Sequence, residues 1–429
     1  MRSLIGLCSV LGLILPGCGV ESSTSAPPRA SGKADTGWVS ASTYEIDGLM
    51  RGTVSHEATG AWEDLATDPG LQEQLVEDQI KFGKNSLKKH HYHLDQLAQK
   101  ITLESVEENE GVVTIRYAAE VDMTAENGDD EIPALEDLPE LELGFPVPLD
   151  PVGVYSRAGE SCAADWDPYV LYESNYYYYF APDNEDCKVE MHQAKLTLTE
   201  VHRQKIAFPE YDQLMGDLGD GAKGFTAALM PGEARDRIKS HLEHDLNLEG
   251  EEVEGGSFTR YRMGDDKVAI VIDLYPSPYK IQEALGKYHL IYYHGHSNYG
   301  TNPYFTNKDA FAKHYQIFMV NSCRTYSYYA RQILEQKATA DDPKGWAAAD
   351  VVANVEPNWI SYSARTLKPL LQGLLEGMEA VERGEENKAP SWQSIIDKME
   401  WMDSIRYGVA GVATNSWHPH DSEPTPTPP

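Results

Sequence analysis

The sequence predicts an α/β protein: a three-layer αβα domain over residues 206–415, preceded over residues 38–205 by an α+β or mostly β domain. Continuous apolar runs of six to eight residues alternate with helical patterns in the second half, as in parallel sheets covered on both faces. Segments typical of β-strands and bounded by turn residues dominate the first half. The chain has 429 residues, of which 41% are hydrophobic, and this is enough for two or more domains.

The first 37 residues belong to neither domain. A positive Arg2, an apolar segment over residues 4–15 and the ending LPGC predict an export signal over residues 1–18. The ending Leu-x-Gly-Cys resembles the bacterial lipobox, which implies cleavage before Cys18 and its acylation, for example with palmitate; a plain secretory signal is the alternative. Residues 19–37 are rich in Ser, Ala, Pro and Gly and are expected to be a flexible tether. We therefore expect an exported protein, lipid-anchored to the bacterial outer membrane on its periplasmic or surface face.

The elements of the first domain follow from periodicity. Apolar residues recur at three- and four-residue spacing within residues 60–98, which predicts a helical stretch. Runs rich in β-branched and aromatic residues over 112–123, 169–182 and 190–204 predict strands. Residues 126–143 are acidic and contain proline, which indicates a solvated loop.

The elements of the second domain alternate between strand and helix. A helix is expected over 232–248, a buried strand over 267–275 and a helix or turn near 276–288. Residues 347–363 could supply a further strand and a specificity-pocket loop around Trp359, and residues 416–429 are expected to be a disordered tail. Between these lie the most informative elements, namely strand 289–295, helix 308–315, strand 316–323 and helix 326–336.

Five cysteines indicate one disulfide and one free thiol. Cys8 leaves with the signal and Cys18 would be lipidated, so three cysteines remain in the folded chain. In an oxidising compartment an odd number leaves one thiol unpaired. Cys162 and Cys187 lie in one tyrosine-rich segment and would close a loop if bridged, so the free thiol is expected to be Cys323.

The charge balance restricts the class of partner. A formal net charge of −32 argues against nucleic acid and anionic membrane surfaces, because both are polyanions that need clustered Lys and Arg. Membrane contact is expected only through the N-terminal lipid, and nothing in the sequence indicates an oligomeric state.

A histidine pair and a cysteine follow two apolar strands. The sequence HLIYYHGHS reaches His294 and His296, and QIFMVNSCR reaches Cys323, 27 residues after His296. If helix 308–315 is a crossover, the two strands are parallel neighbours and their carboxyl ends lie at one edge of the sheet. Open α/β sheets bind their ligands at that edge. We therefore expect an active site there, with histidine and cysteine side by side.

The residue types fit nucleophilic catalysis. A nearby imidazole and a helix amino terminus lower the pKa of a cysteine thiol, and helix 326–336 follows Cys323 directly. The imidazole can then protonate the leaving amine. Backbone N–H groups in the turns after the strands could bind the oxyanion.

These motifs resemble the clan of cysteine endopeptidases, clan CD, that contains caspases, legumains, gingipains, clostripain and separase. Members have a caspase/haemoglobinase α/β fold, with one apolar strand ending in His-Gly and the next ending in Cys. The legumain and gingipain pattern places the catalytic histidine on His296 and the nucleophile on Cys323. The resemblance implies a protein or peptide substrate, with N–H groups of Gly295, Ser297 and Cys323 as oxyanion donors.

One position departs from the family pattern. The family has glycine after the catalytic histidine, where this chain has Ser297. An alignment in the caspase manner instead places the histidine on His294 with Gly295 after it, and residues two apart on a strand face the same way. The departure also leaves open a catalytically inactive surface binding module with this fold, and the same residues would serve a thiol hydrolase of a non-peptide ester or amide.

No cofactor is required by this chemistry. Some clan members use calcium, and Asp183, Glu185 and Asp186 are acidic enough to bind it. They lack the EF-hand pattern, so we assign no metal ligand.

Overall fold

Two β-sheets and the helices that cover them make up a mixed α/β protein. The predicted export signal, with Cys18, and the predicted tether lie outside the described residues. The computed structural model describes residues 38–94, 100–126, 141–164, 176–177, 179–202, 205–253, 255–300, 302–356, 358 and 364–419.

The first half of the chain forms an antiparallel sheet in the order β3-β5-β2-β7-β6, with β4 also paired to β5. The turn between β4 and β5 is Glu110-Gly111, and both residues have positive φ, as two-residue hairpins of this hand require. The short β1 pairs with the second sheet instead. The strands are β1 (Val39–Ser40), β2 (Thr43–Glu57), β3 (Tyr92–Leu94), β4 (Lys100–Asn109), β5 (Val112–Glu126), β6 (Glu142–Pro148) and β7 (Met191–His202).

One long helix, α1 (Pro69–Lys88), packs on this sheet. It begins at Asp68, whose carboxylate accepts from the N–H of Gly70 at 2.8 Å, and Pro69 occupies the first helical position. Both residues are typical of a helix start. The first N–H groups of a helix need acceptors from outside the helix, which Asp68 provides, and proline has no N–H that needs one. The predicted helix within residues 60–98 is therefore present but shorter, since Tyr92–Leu94 pair as a strand.

The second half forms a ten-stranded sheet in the order β1-β16-β15-β14-β13-β9-β12-β11-β10, with β8 paired to β9. Its five central strands, from β15 to β12, are parallel, and antiparallel strands flank them. The strands are β8 (Gly216–Asp217), β9 (Lys223–Met230), β10 (Glu251–Val253), β11 (Phe258–Gly264), β12 (Val268–Leu274), β13 (Leu290–His294), β14 (Gln316–Asn321), β15 (Ala349–Asn354) and β16 (Tyr407–Ala410).

Helices cover both faces of the second sheet. On one face Tyr292 and Met319 belong to an apolar cluster with α7 and α8, and on the other Tyr293 and Val320 pack with α5 and α6. Phe82 of α1 joins the second cluster, so the N-terminal half also packs on that face. The described residues thus form one compact unit, and the domain boundary at residue 205 stays a prediction. The helices are α2 (Val154–Ala158), α3 (Tyr211–Leu214), α4 (Arg235–Ser240), α5 (Ile281–Leu285), α6 (Arg331–Lys337), α7 (Leu367–Glu382) and α8 (Trp392–Asp403).

Two predicted elements differ from the structure. The expected crossover helix over residues 308–315 is a single 3-10 turn, Lys308–Ala310, after which the extended Phe311 packs on Phe318. Eight residues are marginal for a helix, and burial of this phenylalanine outweighs the helical pattern. The expected strand over 169–182 is partly outside the described residues; its described part has a 3-10 turn at 176–177 and one bridge from Phe180 to Ala163.

The chain end is more ordered than expected up to Trp417. The Trp417 ring packs edge-on against Tyr211, and the N–H of Ser416 donates to the carboxylate of Glu210. Residues 420–429 lie outside the described residues. No helix in the described ranges has the length and apolar character needed to cross a membrane.

The predicted disulfide between Cys162 and Cys187 is present, with a sequence separation of 25, and Cys323 is the free thiol.

The disulfide stabilises the folded protein because it lowers the conformational entropy of the unfolded chain. For a loop of this length the stabilisation is roughly 3 kcal/mol. We expect the Cys162→Ser/Cys187→Ser variant to lose about 3 kcal/mol of unfolding free energy, measured by urea titration. Reducing agent should reproduce that loss in the wild type and leave the variant unchanged. Equal unfolding free energies in the two proteins would contradict this expectation.

Candidate active site

The candidate residues follow two neighbouring parallel strands at the centre of the sheet. In the register of β13 and β14, His294 pairs with Asn321. His296 and Cys323 therefore each lie two residues beyond the same paired position, at the carboxyl edge. From β9 the chain adds β12 on one side, and it then adds β13, β14 and β15 on the other side. The strand order therefore changes direction between β9 and β13, and open α/β sheets bind ligands in the crevice at such a point.

Cys323 lies in a tight turn between a buried strand and a helix. It is half-buried, and its Sγ donates to the main-chain carbonyl of Asn358 at 3.5 Å. The next residue, Arg324, has φ 52°, a conformation that non-glycine residues rarely adopt, and its N–H donates to the carbonyl of Glu356. Strained residues of this kind concentrate at functional sites.

The helix after the cysteine begins with a π-helical turn, Tyr326–Ala330, and continues as α6. Thr325 precedes this turn, and its hydroxyl donates to Asn354 Oδ1 at 2.6 Å. This bond ties the start of the helix to the end of the neighbouring strand β15. The predicted helix over 326–336 is confirmed, and π-helical turns occur often at functional sites.

His296 is exposed in the turn after β13. Its main-chain carbonyl accepts from the Tyr293 hydroxyl at 3.0 Å and from Asn302 Nδ2 at 3.3 Å. The next carbonyl, that of Ser297, accepts from the hydroxyl of Tyr329. Since Tyr329 lies in the π-helical turn after Cys323, this bond joins the histidine turn to the cysteine helix.

No hydrogen bond links the histidine ring to the thiol. Among the described residues, the ring of His296 pairs with no acceptor or donor, and the thiol of Cys323 bonds only to Asn358. Catalytic hydrogen bonds are often longer or absent without substrate. The structure therefore places the two residues at one edge but does not join them.

His294 occupies a different environment. It is 2% exposed at the end of β13, and its ring is hydrogen-bonded to the carbonyl of Pro231. Burial lowers its pKa to about 4, so the ring is neutral at pH 7. Because a buried ring bonded to a backbone carbonyl cannot reach a substrate freely, the two candidate histidines differ in access.

The predicted oxyanion donors lie in the same turns. Gly295 is half-exposed; a Cβ there would come within 2.7 Å of the Tyr293 hydroxyl, which explains the glycine. Ser297, the next residue after His296, is buried. Ser322, next to Cys323, is also buried, and its hydroxyl has no hydrogen-bond partner in the described part of the chain.

Sequence reasoning missed a polar cluster beneath this edge, centred on Asn321. This residue ends the apolar run IFMV and is 1% exposed, although it carries an amide. The sequence did contain a signal for this cluster: an amide at the end of a buried strand needs hydrogen-bond partners in the core. The predicted strand within 347–363 is confirmed as β15, whereas Trp359 lies outside the described residues.

The described residues hold no group of three or more His, Cys, Asp or Glu side chains arranged to bind a metal ion. Asp183, Glu185 and Asp186 are exposed, and Asp183 pairs with Lys89. Comparison of the chain with protein-family models, curated proteins and solved structures gives no significant match.

Proposed function

We propose that this chain is a cysteine endopeptidase whose second half has a caspase/haemoglobinase-like fold, with Cys323 as nucleophile and His296 as general acid/base. One observation carries the proposal: His296 and Cys323 follow the carboxyl ends of two adjacent parallel strands, two residues beyond a shared register pair. The strained turn at Arg324 and the helix that follows the cysteine support the same role.

The chemistry has two halves. His296 takes the thiol proton of Cys323, and the thiolate forms a C–S bond with the carbonyl carbon of the substrate. The imidazolium returns the proton to the amide nitrogen as the C–N bond breaks, and the amine leaves. His296 then takes a proton from water, which attacks the thioester carbon; the C–S bond breaks, the acid leaves and the thiol is restored.

The oxyanion that forms in both halves needs N–H donors within about 3 Å. The N–H groups of Gly295, Ser297 and Cys323 are the proposed donors, because they belong to the turns that carry the two reacting residues. A serine at 297 retains a backbone N–H, so the departure from the family pattern does not remove a donor. It adds a side chain that is buried here rather than directed at solvent.

Exposure favours His296 over His294 as the general acid/base. His296 is exposed, whereas His294 is buried and bonded to Pro231, with a pKa lowered to about 4 by burial. A general base must accept and release a proton near neutral pH, which a ring with so low a pKa does poorly. We therefore assign the general acid/base to His296 and a structural role to His294.

The cellular setting belongs to the same proposal. An exported protein, acylated at Cys18 and held to the outer membrane, would act on proteins or peptides outside the cytoplasm. Cleavage would remove Cys8, lipid would occupy Cys18, and Cys162 is bonded to Cys187, so Cys323 is the one free cysteine among the described residues.

The test is the rate of alkylation of Cys323 by iodoacetamide as a function of pH, read by mass spectrometry. We expect fast alkylation below pH 7, at least about tenfold slower in His296→Ala, because the imidazole stabilises the thiolate. His294→Ala should lower stability and retain the pH profile. His314→Ala, at the amino edge of the same sheet, is the matched control.

An ordinary thiol profile in folded protein, unchanged in His296→Ala, would contradict the dyad. That outcome would favour an inactive binding module with this fold. An activated thiol that cleaves no peptide in a broad peptide library would instead favour hydrolysis of a non-peptide ester or amide.

A further inference from the structure

A buried polar cluster lies directly beneath the candidate nucleophile. The side chain of Asn321 makes three hydrogen bonds: Oδ1 accepts from Asn358 Nδ2, while Nδ2 donates to the Tyr292 hydroxyl (3.3 Å) and to Thr366 Oγ1 (3.2 Å). Its Oδ1 also lies 3.3 Å from the Tyr407 hydroxyl. An asparagine amide has two N–H donors and two acceptor lone pairs, so both donors and one lone pair are used.

The cluster is continuous with the thiol. Asn358 is the residue whose main-chain carbonyl accepts from Cys323 Sγ at 3.5 Å. Its side-chain Nδ2 donates to Asn321 and lies 3.4 Å from the Tyr407 hydroxyl. One residue therefore joins the buried amide to the thiol, through its side chain on one side and its carbonyl on the other.

The far side of the cluster is anchored in the helices. The Tyr407 hydroxyl donates to Asp403 Oδ2 at 2.8 Å, at the end of α8, and Thr366 precedes α7. Burial raises the pKa of the Asp403 carboxyl to about 6. The amide of Asn321 is thus held by groups from β13, β16 and the start of α7, and has little freedom to reorient.

We infer that Asn321 is a positioning residue for Cys323, acting through Asn358. This inference rests on the proposed function and adds a residue to it. Asn321 does not touch the reacting atoms; it orients Asn358, and the carbonyl of Asn358 holds the thiol in one direction at the edge of the sheet.

Loss of this positioning should change two measured quantities: the pH at which the thiol is alkylated and the rate of peptide cleavage. A carbonyl that accepts from S–H favours the neutral thiol, so loss of this acceptor lowers the pH at which the thiol reacts. The same loss frees the sulfur from its fixed direction, and misplacement of a nucleophile lowers the rate of reaction with a bound substrate. A purely structural role would change neither the pH midpoint nor these rates in this pattern.

The experiment measures iodoacetamide alkylation of Cys323 against pH, and peptide-library cleavage, in the full chain and in Asn321→Ala. We expect the alkylation midpoint to fall by about 0.5 to 1 pH unit and peptide cleavage to fall about tenfold. Asn358→Ala breaks the same link from a half-buried residue and keeps its own carbonyl, so it should fold even where Asn321→Ala does not. It should give the same shift, and the double variant should add nothing.

Gln316→Ala is the matched control. Gln316 is a buried amide at the other end of the same strand, where its Nε2 donates to the carbonyls of Leu285 and Tyr288. Its loss removes a similar number of hydrogen bonds far from the thiol. Its alkylation midpoint should equal that of the wild type.

Identical midpoints in the wild type, Asn321→Ala and Asn358→Ala would overturn the inference, and so would a shift in Asn321→Ala that Asn358→Ala lacks. The midpoint is measured on the thiol itself. A shift in both variants, together with no cleavage of any peptide by the wild type, would sustain the positioning role and refute the endopeptidase.

Discussion

Replacement of Cys323 by alanine should reduce peptide cleavage by at least about a thousandfold, because removal of a nucleophile leaves only binding and oxyanion stabilisation. The measurement is the set of new amino termini that the chain creates in a proteome-derived peptide library, read by mass spectrometry. Cys323→Ser should be similarly inactive, since a hydroxyl is far less acidic than a thiol and His296 is no stronger as a base.

Ser322→Ala provides the matched control for this prediction. Ser322 adjoins Cys323, but its buried hydroxyl has no hydrogen-bond partner among the described residues. Loss of an unsatisfied buried hydroxyl should leave cleavage within about twofold and stability equal or higher. Retention of the same new termini by Cys323→Ala would show that another group is the nucleophile.

The largest effect on stability is expected at Asp350, near the amino end of β15 and so far from the candidate site. This carboxylate is fully buried and accepts from the Tyr315 hydroxyl and Trp392 Nε1, both at 2.6 Å, and from Asn415 Nδ2 at 2.9 Å. Asp350→Ala would leave two buried donors, from Tyr315 and Trp392, without an acceptor, whereas the half-buried Asn415 amide keeps the Phe208 carbonyl. At about 1 to 3 kcal/mol for each, we expect a loss of about 4 kcal/mol in urea unfolding.

Asp266→Ala is the control for this prediction. Asp266 lies on an exposed turn, so its replacement should change the unfolding free energy by less than about 0.5 kcal/mol. A similarly small loss in Asp350→Ala would mean that the cluster relaxes around the missing carboxylate.

The same carboxyl makes stability depend on pH in a defined direction. Burial raises the pKa of Asp350 to about 7 from 3.8, so the folded chain binds a proton that the unfolded chain has released. Its contribution is fully present below about pH 4 and is lost as pH rises through about 7. Asp350→Asn cannot titrate. The difference in unfolding free energy, wild type minus variant, should therefore be more favourable to the wild type at pH 5 than at pH 8, and a difference independent of pH would contradict this.

Local sequence patterns were enough to predict those elements whose structure depends on neighbouring residues. The apolar runs that became β13 and β14, the alternation that indicated parallel pairing and the helix after Cys323 were all predictable. Strand and helix periodicity follow from which side chains a segment must bury. The odd cysteine count predicted one free thiol, and the position of Cys162 and Cys187 in one tyrosine-rich segment predicted their pairing, which left Cys323 free.

The tertiary structure decided what depends on distant parts of the chain. His294 and His296 are alike in sequence, and only the folded structure shows that the first is buried and the second exposed. The amide of Asn321 meets Tyr407, 86 residues away, and no periodicity links the two. Likewise, the segment around Phe311 is not helical because the Phe311 ring packs against Phe318 in the core. The sequence determined the elements and the types of reactive residue, whereas packing between remote segments determined which of them are exposed, held in place or charged.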